Sequence, residues 1–205
     1  MNIKYLGTEY GGWVIDLDSI KDGDTIICGG MGEDISFEEE LLKHKDVKII
    51  EIDPTEKSHR FLENKFLEDS ELSQKINLIK GAIESETQEK VKIFKNKFPD
   101  YVSESVNNSH SYVYDDFYEV DVISIKKLKE DYNPSFIKMD IEGSEYNVLE
   151  DCIGIRQVCV EFHHHCLSDK NLEDTIRIVN KFLENNYQII DNRQNYQEVT
   201  FLLNK

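Results

Sequence analysis

The 205-residue sequence has few basic residues, and its apolar runs are short. Lys and Arg together number 24 against 41 Asp and Glu, which gives a formal net charge of -17 at pH 7. Because so acidic a surface repels polyphosphate backbones, we expect no nucleic-acid partner. No apolar stretch approaches the roughly 20 residues that a membrane-spanning helix needs, so we expect no membrane span.

Paired cysteine motifs are missing as well. The four cysteines, Cys28, Cys152, Cys159 and Cys166, show no C-x-x-C spacing, and three of them lie in or beside apolar runs. We therefore expect neither a disulfide framework nor a zinc site, and the thiols fit a reducing compartment. The N-terminus lacks the apolar core and the small-residue cleavage site of a secretory signal, so we predict a cytoplasmic location.

Strand-like apolar runs alternate with helical patterns along most of the chain. Buried strands are predicted at 24–28, 47–52, 76–79, 136–141 and 157–162. Helices are predicted at 36–42, 56–66, 146–150 and 171–185, with a short strand and a helix at 121–131. The runs 187–190 and 199–203 are predicted to pair as a hairpin. Repeated strand–helix units predict one α/β domain over residues 1–205, with a mainly parallel sheet, a C-terminal antiparallel hairpin and helices on both faces.

The stretch 85–118 has no clear periodicity. Lys and Glu dominate its first part, and loop-forming residues such as Asn107 and Asn108 occupy its second part. We predict an irregular insertion or a lid here. His110 and Tyr112, within the same stretch, are candidate contacts for a substrate.

A glycine-rich loop follows the first predicted strand. Gly30 and Gly32 let the backbone approach a ligand closely, because glycine has no side chain and tolerates positive φ. Asp53 ends the next predicted strand, 23 residues after Gly30. An acid at that position would accept hydrogen bonds from both ribose hydroxyls of an adenosine.

The same loop departs from the dinucleotide fingerprint G-x-G-x-x-G. Its last position is Ile35, and Glu33 and Asp34 would oppose a bound pyrophosphate. Acids suit a sulfonium cofactor that carries an amino group much better. The loop therefore favours S-adenosylmethionine over NAD.

Acids and histidines follow the fourth and fifth predicted strands. Asp140 and Glu142 lie two residues apart, so their side chains share one side if the extended geometry persists. Either carboxylate could take a proton from an attacking hydroxyl. His163 shares a strand face with Glu161, and a histidine near its own pKa is a natural base. We interpret Asp140, Glu142 and His163 as catalytic candidates and Glu161 and His164 as substrate contacts.

A second interpretation, which we do not favour, gives some of these side chains to a metal ion. Asp140, Glu161 and His163 would then hold a divalent cation, since carboxylates suit Mg²⁺ or Mn²⁺. Glu145 is expected to be a surface or helix-start residue.

Five blocks of the sequence resemble the FkbM-type methyltransferases. They are GTEYGGWVIDL, CGGMGEDISFEEEL, EIDPTEKS, FIKMDIEGSEYNVLE and VEFHHH. The resemblance runs from Tyr10 to about His165 and leaves 85–118 unexplained, and KMDIEGSEYNVL is its most specific block. It implies the Rossmann-like sandwich of class I methyltransferases. Cys28 is a departure, because the broader class favours an acid at that position.

The resemblance also implies a set of contacts for S-adenosylmethionine. Two segments would hold the cofactor: Tyr10, Gly11, Gly12 and Trp13, together with Gly30, Gly32, Glu33, Asp34 and Ser36. Asp53 would bind the ribose, Ala82 would lie near the adenine, and Asp140 would lie near the transferred methyl.

We therefore predict an S-adenosylmethionine-dependent O-methyltransferase that acts on a carbohydrate or glycan hydroxyl. A terminal deoxyhexose of the rhamnose or fucose type is a candidate acceptor. The alternatives are a lipid or secondary-metabolite hydroxyl, a nucleotide-binding oxidoreductase and a non-catalytic binding domain. We interpret the chain either as a minimal form of the family or as a domain of a larger glycan-building protein.

Overall fold

The computed structural model describes residues 1–98 and 100–204, so residues 99 and 205 of the predicted domain lie outside the described residues. The strands are β1 (Ile3–Leu6), β2 (Trp13–Asp16), β3 (Thr25–Gly29), β4 (Lys48–Asp53), β5 (Ile76–Lys80), β6 (Ala82–Ile83), β7 (Lys90–Asn96), β8 (Val113–Ile123), β9 (Phe136–Met139), β10 (Gln157–Glu161), β11 (Tyr187–Arg193) and β12 (Glu198–Leu203). The helices are α1 (Ser36–His44), α2 (Glu56–Glu68), α3 (Leu72–Lys75), α4 (Ile125–Tyr132), α5 (Glu145–Val148) and α6 (Leu172–Glu184).

Seven strands form the central sheet in the order β11-β12-β10-β9-β3-β4-β5. The five strands from β10 to β5 in this order run parallel, whereas β12 is antiparallel to both β10 and β11. This topology confirms the predicted Rossmann-like α/β fold with its C-terminal antiparallel hairpin. Helices cover both faces because parallel neighbours need crossover connections.

Neighbouring residues of a central strand face two different cores. On β3, Ile27 packs with α4, α5 and α6, whereas Ile26 and Cys28 pack with α1, α2 and the β1–β2 hairpin. All three side chains are fully buried. Burial on both faces explains why β3 is a continuous apolar run rather than an alternating one. All four cysteines are free and buried.

The stretch 85–118 contains regular structure that the sequence pattern did not predict. β7 pairs antiparallel with β8, and β8 pairs with β6, forming a second sheet of three strands. Val91 and Ile93 are buried and alternate with exposed lysines. Such a strand has one polar face, and the many Lys and Glu residues concealed its period of two. The lid role of this stretch stays a prediction.

An N-terminal hairpin, β1–β2, was also not predicted. Asp16 N donates a hydrogen bond to Gln157 Oε1 at 2.8 Å, and Thr200 Oγ1 donates to the Val14 carbonyl at 2.9 Å. These bonds fix the hairpin against β10 and β12. Its short strands carry few residues, so the sequence gives only a weak signal for them.

Side-chain caps set the starts of the two longest helices. Thr55 accepts a hydrogen bond from the backbone N–H of Ser58 at the start of α2, and Asn171 and Asp174 form a capping box at the start of α6. Such caps satisfy backbone N–H groups that have no partner within the helix. None of the helices within the described ranges is both long and apolar enough to cross a membrane.

Candidate active site

A cleft of about 940 Å³, including space open to solvent, lies at the carboxyl ends of the central strands. β3 and β9 are neighbours there, but the chain continues from β3 toward β5 on one side and from β9 toward β10 on the other. Doubly wound sheets bind their ligands at such a switch point. Twelve predicted site residues line the cleft: Tyr10, Gly11, Gly12, Trp13, Gly30, Gly32, Asp34, Asp53, Ala82, Asp140, Glu142 and Glu161.

Gly30 brings the end of β3 into contact with the end of β9. Its φ is +77°, and a Cβ atom at this position would lie 1.5 Å from the carbonyl oxygen of Asp140. Gly30 N donates to the Ile52 carbonyl and Asp140 N donates to the Gly29 carbonyl, both at 3.0 Å. Conformation and space therefore both require glycine here, and the loop lies directly against Asp140.

Asp53 is buried at the end of β4 and organises the loop after β3. Its Oδ2 accepts hydrogen bonds from Met31 N (3.1 Å) and Gly32 N (3.2 Å). Its Oδ1 accepts from the backbone N (2.8 Å) and the hydroxyl (2.7 Å) of Thr55. A carboxylate has about four acceptor sites, so protein donors fill all of them. A ribose hydroxyl would have to share or replace the bonds from the loop amides.

The turn between β1 and β2 closes one side of the cleft. Thr8 Oγ1 donates to Asp34 Oδ2 at 2.6 Å, and Thr8 N donates to Ser36 Oγ at 2.8 Å. Burial raises the pKa of Asp34, but hydrogen bonds from Ser36 and Thr8 outweigh burial, and the net shift is downward. Tyr10 is 82% exposed at the rim, whereas Trp13 is buried. The structure thus brings the two predicted cofactor segments together.

His163 follows β10 and is surrounded by three carboxylates. Its Nδ1 lies 3.0 Å from Glu145 Oε1. Its Nε2 lies 3.3 Å from Glu142 Oε2 and 3.5 Å from Asp140 Oδ1. Burial lowers the pKa of His163, but the three carboxylates hold that pKa well above its usual range. The carboxylates therefore favour the protonated ring, and the use of His163 as a base stays a prediction.

Glu145 begins α5, which matches the expected helix-start position, and it is fully buried, so the alternative of a surface position was wrong. Its Oε1 accepts a hydrogen bond from Ile141 N at 3.0 Å, and its Oε2 accepts one from Gly143 N at 2.9 Å. The chain turns back after β9 and places these two amides over the helix start. The signal in the sequence was an acid at a helix start just after a glycine turn, where free backbone N–H groups attract a carboxylate.

Glu142 has a left-handed backbone conformation, with φ +53°. Ser105 Oγ donates to its carbonyl, and His110 Nε2 lies 3.1 Å from its Oε2. Burial raises the pKa of Glu142, but the charge of His163 and hydrogen bonds from two other side chains lower it to about 2. Glu142 is therefore charged at neutral pH. His110 supports Glu142 from outside the cleft lining, and its contact with substrate stays a prediction.

Asp140 and Glu161 present carboxyl groups to the cleft from neighbouring strand ends. Burial, followed by the charges of Glu161 and Glu142, raises the pKa of Asp140 well above its usual range. Burial likewise raises the pKa of Glu161 to about 7, although the charge of His163 opposes the shift. The Asp140 side chain is still 39% exposed, so a ligand in the cleft can reach it.

Six predicted site residues lie outside the cleft lining: Glu33, Ser36, His110, Tyr112, His163 and His164. His164 Nδ1 lies 3.0 Å from Thr175 Oγ1 on α6, and Tyr112 is exposed in the turn just before β8. Because the chain turns after β10, consecutive histidines point to different surroundings, and His164 is carried away from the cleft. Two groups of possible metal ligands lie together among the described residues. One is Cys28, Glu38 and Glu51, and in the other Glu142 accompanies Asp140 and His163 instead of the predicted Glu161.

A buried polar row beneath the cleft was not predicted. Glu51, Cys28 and Lys138 occupy one register position on β4, β3 and β9. Lys138 Nζ lies 2.7 Å from Glu38 Oε1, whereas neither carboxyl oxygen of Glu51 has a hydrogen-bond partner among the described residues. Burial, followed by the charge of Glu38, raises the pKa of Glu51 well above its usual range and so favours the protonated carboxyl.

The fold and the position of the cleft define a Rossmann-like α/β protein with a ligand cleft at the switch point of its sheet. Three solved structures of methyltransferase-like folds are similar to this chain. Methyltransferase FkbM from Methylobacillus flagellatus KT has a TM-score of 0.56 and 16% identity, over 89% of this chain and 44% of that one. Precorrin-6y C5,15-methyltransferase from Geobacter metallireducens GS-15 has a TM-score of 0.50 and 8% identity, over 92% and 85%. The fibrillarin pre-rRNA processing protein of Methanococcus jannaschii has a TM-score of 0.50 and 10% identity, over 92% and 68%.

The family is shown by sequence rather than by these fold likenesses. A family model described as the methyltransferase FkbM domain matches residues 25–189. The chain therefore belongs to the FkbM methyltransferase family, which confirms the resemblance of the five sequence blocks. The chain spans less than half the length of the Methylobacillus flagellatus protein. A search of curated protein sequences found no match to this chain.

Proposed function

We propose that the protein transfers a methyl group from S-adenosylmethionine to a hydroxyl of a carbohydrate or glycan. The observation that carries the proposal is the contact between Gly30 and Asp140. Through this contact the loop that suits an adenosine cofactor adjoins the carboxyl groups that suit an attacking hydroxyl. Donor and acceptor would therefore meet in one cleft, as methyl transfer requires.

The donor would lie on the side of the cleft formed by β3 and β4. The ribose hydroxyls would donate hydrogen bonds to Asp53 Oδ2 and would replace the bonds that the Met31 and Gly32 amides make there. Asp34, held by Thr8, would face the amino group, and Ala82 would adjoin the adenine. An acidic lining attracts a sulfonium and an ammonium group and repels a pyrophosphate, which favours this donor over NAD.

The reaction would be an in-line displacement at the sulfonium methyl. The hydroxyl oxygen attacks the methyl carbon, the carbon–sulfur bond breaks, and its electron pair stays on sulfur to give S-adenosylhomocysteine. Asp140 and Glu161 would form the carboxyl pair that takes the hydroxyl proton, since both line the cleft and Asp140 is reachable from it. Glu142 and His163 would hold this pair in place through their ion pair.

A carbohydrate acceptor fits the polar character of the cleft. Asp140, Glu142 and Glu161 all line it, and carboxylates accept hydrogen bonds from neighbouring sugar hydroxyls. The formal net charge of -17 opposes acceptors with polyphosphate backbones. A terminal deoxyhexose of the rhamnose or fucose type is the first candidate, and a lipid or secondary-metabolite hydroxyl is the alternative.

Calorimetric titration tests the donor. S-adenosylmethionine should bind and NAD should not. Asp53→Asn should weaken binding by about tenfold or more, because one acceptor site for ribose hydroxyls is lost. Asp115→Asn, which changes an exposed acid of β8 outside the cleft, should bind as the unmodified protein does. NAD binding without S-adenosylmethionine binding would refute the proposal.

A labelled-methyl assay tests the acceptor and the carboxyl pair. Deoxyhexosides, other monosaccharide glycosides and non-sugar alcohols are compared as acceptors. Asp140→Asn and Glu161→Gln should each lower transfer by about 10²–10⁴-fold while donor binding persists. Full transfer by either variant would remove that residue from the proposed pair, and transfer only to non-sugar alcohols would contradict the carbohydrate assignment.

A further inference from the structure

We propose that Asp140, Glu142 and His163 form a binding site for one divalent cation of the Mg²⁺ and Mn²⁺ class. Each residue offers one ligand atom, and these atoms all lie within 4.8 Å of one another. The inference goes beyond the proposed methyl transfer, because ion binding is measured without donor or acceptor.

The spacing of the three side chains fits an ion between them. His163 Nε2 lies 3.3 Å from Glu142 Oε2 and 3.5 Å from Asp140 Oδ1. Ligands that lie about 2.1 Å from one ion are roughly 3.0 Å apart at right angles and roughly 3.4 Å apart at tetrahedral angles. The two carboxylates are therefore already placed at ligand-to-ligand distances from the nitrogen.

Glu145 orients the histidine in the way that metal-binding histidines are oriented. Its Oε1 lies 3.0 Å from His163 Nδ1, and the Ile141 and Gly143 amides fix both of its oxygens. An ion would displace the proton on Nε2, and with Nδ1–H donated to Glu145 the ring then directs the lone pair of Nε2 toward Asp140 and Glu142. A carboxylate on the far nitrogen is the usual outer partner of a histidine ligand.

The backbone of Glu142 is held in a conformation that costs free energy. Its φ of +53° is left-handed, and a non-glycine residue keeps such a conformation only where its surroundings enforce it. Ser105 Oγ donates to its carbonyl, and His110 Nε2 lies 3.1 Å from its Oε2. These contacts direct the carboxylate back toward His163 instead of along the strand.

The charge balance and the accessibility of the cluster also suit a cation. Asp140, Glu142, Glu145 and Glu161 lie around His163, and His110 contacts Glu142, so four carboxyl groups face two histidines in a largely buried setting. The side chains of Asp140 and Glu142 are 39% and 19% exposed and line the cleft. An ion can therefore enter from the cleft and keep coordination positions open to a hydroxyl or water. Two carboxylates and one imidazole suit Mn²⁺ and Mg²⁺ better than a thiolate-preferring ion.

Binding of Mn²⁺ to the chelator-treated full chain tests the site. Electron paramagnetic resonance measures free Mn²⁺, and calorimetry measures Mg²⁺ on the same samples. We expect one Mn²⁺ per chain, displaced by Mg²⁺. Glu142→Gln and His163→Gln should weaken binding by more than about tenfold, and Glu145→Gln by about 10–100-fold. His164→Gln, which changes the adjacent histidine on Thr175, should leave the affinity unchanged.

Several outcomes would overturn the proposal. One is that neither Mn²⁺ nor Mg²⁺ binds stoichiometrically. Another is that Glu142→Gln binds Mn²⁺ with the affinity of the unmodified protein, and a third is that only Zn²⁺ binds stoichiometrically. Circular dichroism of each variant distinguishes loss of a metal ligand from loss of the fold. If Glu142→Gln is unfolded, Glu142→Asp takes its place and should also bind Mn²⁺ more weakly than the unmodified protein. S-adenosylmethionine titration without metal is scored separately, so failure of the ion site and failure of the methyl donor are distinguishable.

Discussion

Replacing Gly30 by alanine tests whether the close contact between the loop after β3 and Asp140 holds the proposed cofactor loop and the carboxyl groups in place. The added Cβ would lie 1.5 Å from the Asp140 carbonyl oxygen, where ordinary van der Waals contact begins at 3.4 Å. One of the two strand ends must therefore move by about 2 Å. The hydrogen bond from Asp140 N to Gly29 joins these two strand ends, and the bond from Gly30 N to Ile52 joins the end of β3 to β4. Both bonds, 3.0 Å long, would lengthen beyond bonding range.

The expected cost has three parts. A left-handed alanine costs about 1–2 kcal/mol, overpacking about 1–3 kcal/mol, and each hydrogen bond about 0.5–1.5 kcal/mol. The overpacking cost and the hydrogen-bond cost do not add in full, because the movement that relieves the overlap is the one that breaks the hydrogen bonds. We therefore expect a loss of about 3–5 kcal/mol in the free energy of unfolding. Gly23→Ala is the matched control, since Gly23 also has a positive φ of +87° but nothing lies within 4 Å of its added Cβ. It should lose only the conformational part, about 1–2 kcal/mol.

Urea unfolding followed by the fluorescence of Trp13 measures both variants. Trp13 is the single tryptophan and is buried in the β1–β2 hairpin beside the cleft. The difference between the two variants isolates the overlap with Asp140 from the backbone strain. Calorimetry should show weaker S-adenosylmethionine binding for Gly30→Ala than for Gly23→Ala. Equal stabilities, together with unchanged methyl transfer in Gly30→Ala, would refute the claim that glycine joins the two halves of the site.

Three further predictions concern polar groups around the cleft. Lys138→Met should lower the free energy of unfolding by about 3–5 kcal/mol in urea, because Glu38 would be left buried without its cation; a neutral effect would contradict the buried ion pair. Glu51→Gln should become more stable relative to the unmodified protein as pH rises above 4.5, by about 1.4 kcal/mol per pH unit. The reason is that folded Glu51 keeps a proton that the unfolded chain releases, so the unmodified protein loses stability as pH rises. An advantage of the variant that is independent of pH in urea titrations would rule this out. Thr8→Val should weaken S-adenosylmethionine binding with at most about 1 kcal/mol lost in stability, because it removes the bond to Asp34; unchanged calorimetric affinity would show that the turn is not part of the donor site.

The parallel core could be predicted from the sequence because its strands are buried on both faces. Runs such as Lys48–Asp53 and Gln157–Glu161 are apolar, short and followed by loop residues, and the structure places them within a residue or two of prediction. β7 and β8 were not predicted in this way. Each of these strands has one exposed face. Lysines, acids and tyrosines can occupy that face because no buried neighbour there requires an apolar side chain, so the strands lack a continuous apolar run.

The site was predictable where backbone position alone decides it. Residues at or just after the ends of β3, β4, β5, β9 and β10 meet at one edge in any parallel sheet, so eight of the twelve lining residues follow from strand ends. The other four, Tyr10, Gly11, Gly12 and Trp13, were implied by the family resemblance. Residues beyond the strand ends depend on how the chain turns. His163 and His164 are neighbours in sequence, yet one faces the carboxylates and the other faces Thr175. No periodicity specifies which of two consecutive loop side chains points inward.

The segment from Lys138 to Glu145 carries the most specific part of the family resemblance, and its contacts give a physical reason. Lys138 forms a buried ion pair with Glu38 on α1, and Asp140, two residues later, lines the cleft after the strand has ended. The left-handed Glu142 then reverses the chain, so that Glu145 receives the Ile141 and Gly143 amides and contacts His163. Each of these positions has a partner on a different element, which leaves little room for substitution. A short motif can be this specific because one tight turn places a buried ion pair, a cleft carboxyl and a supporting carboxylate within eight residues.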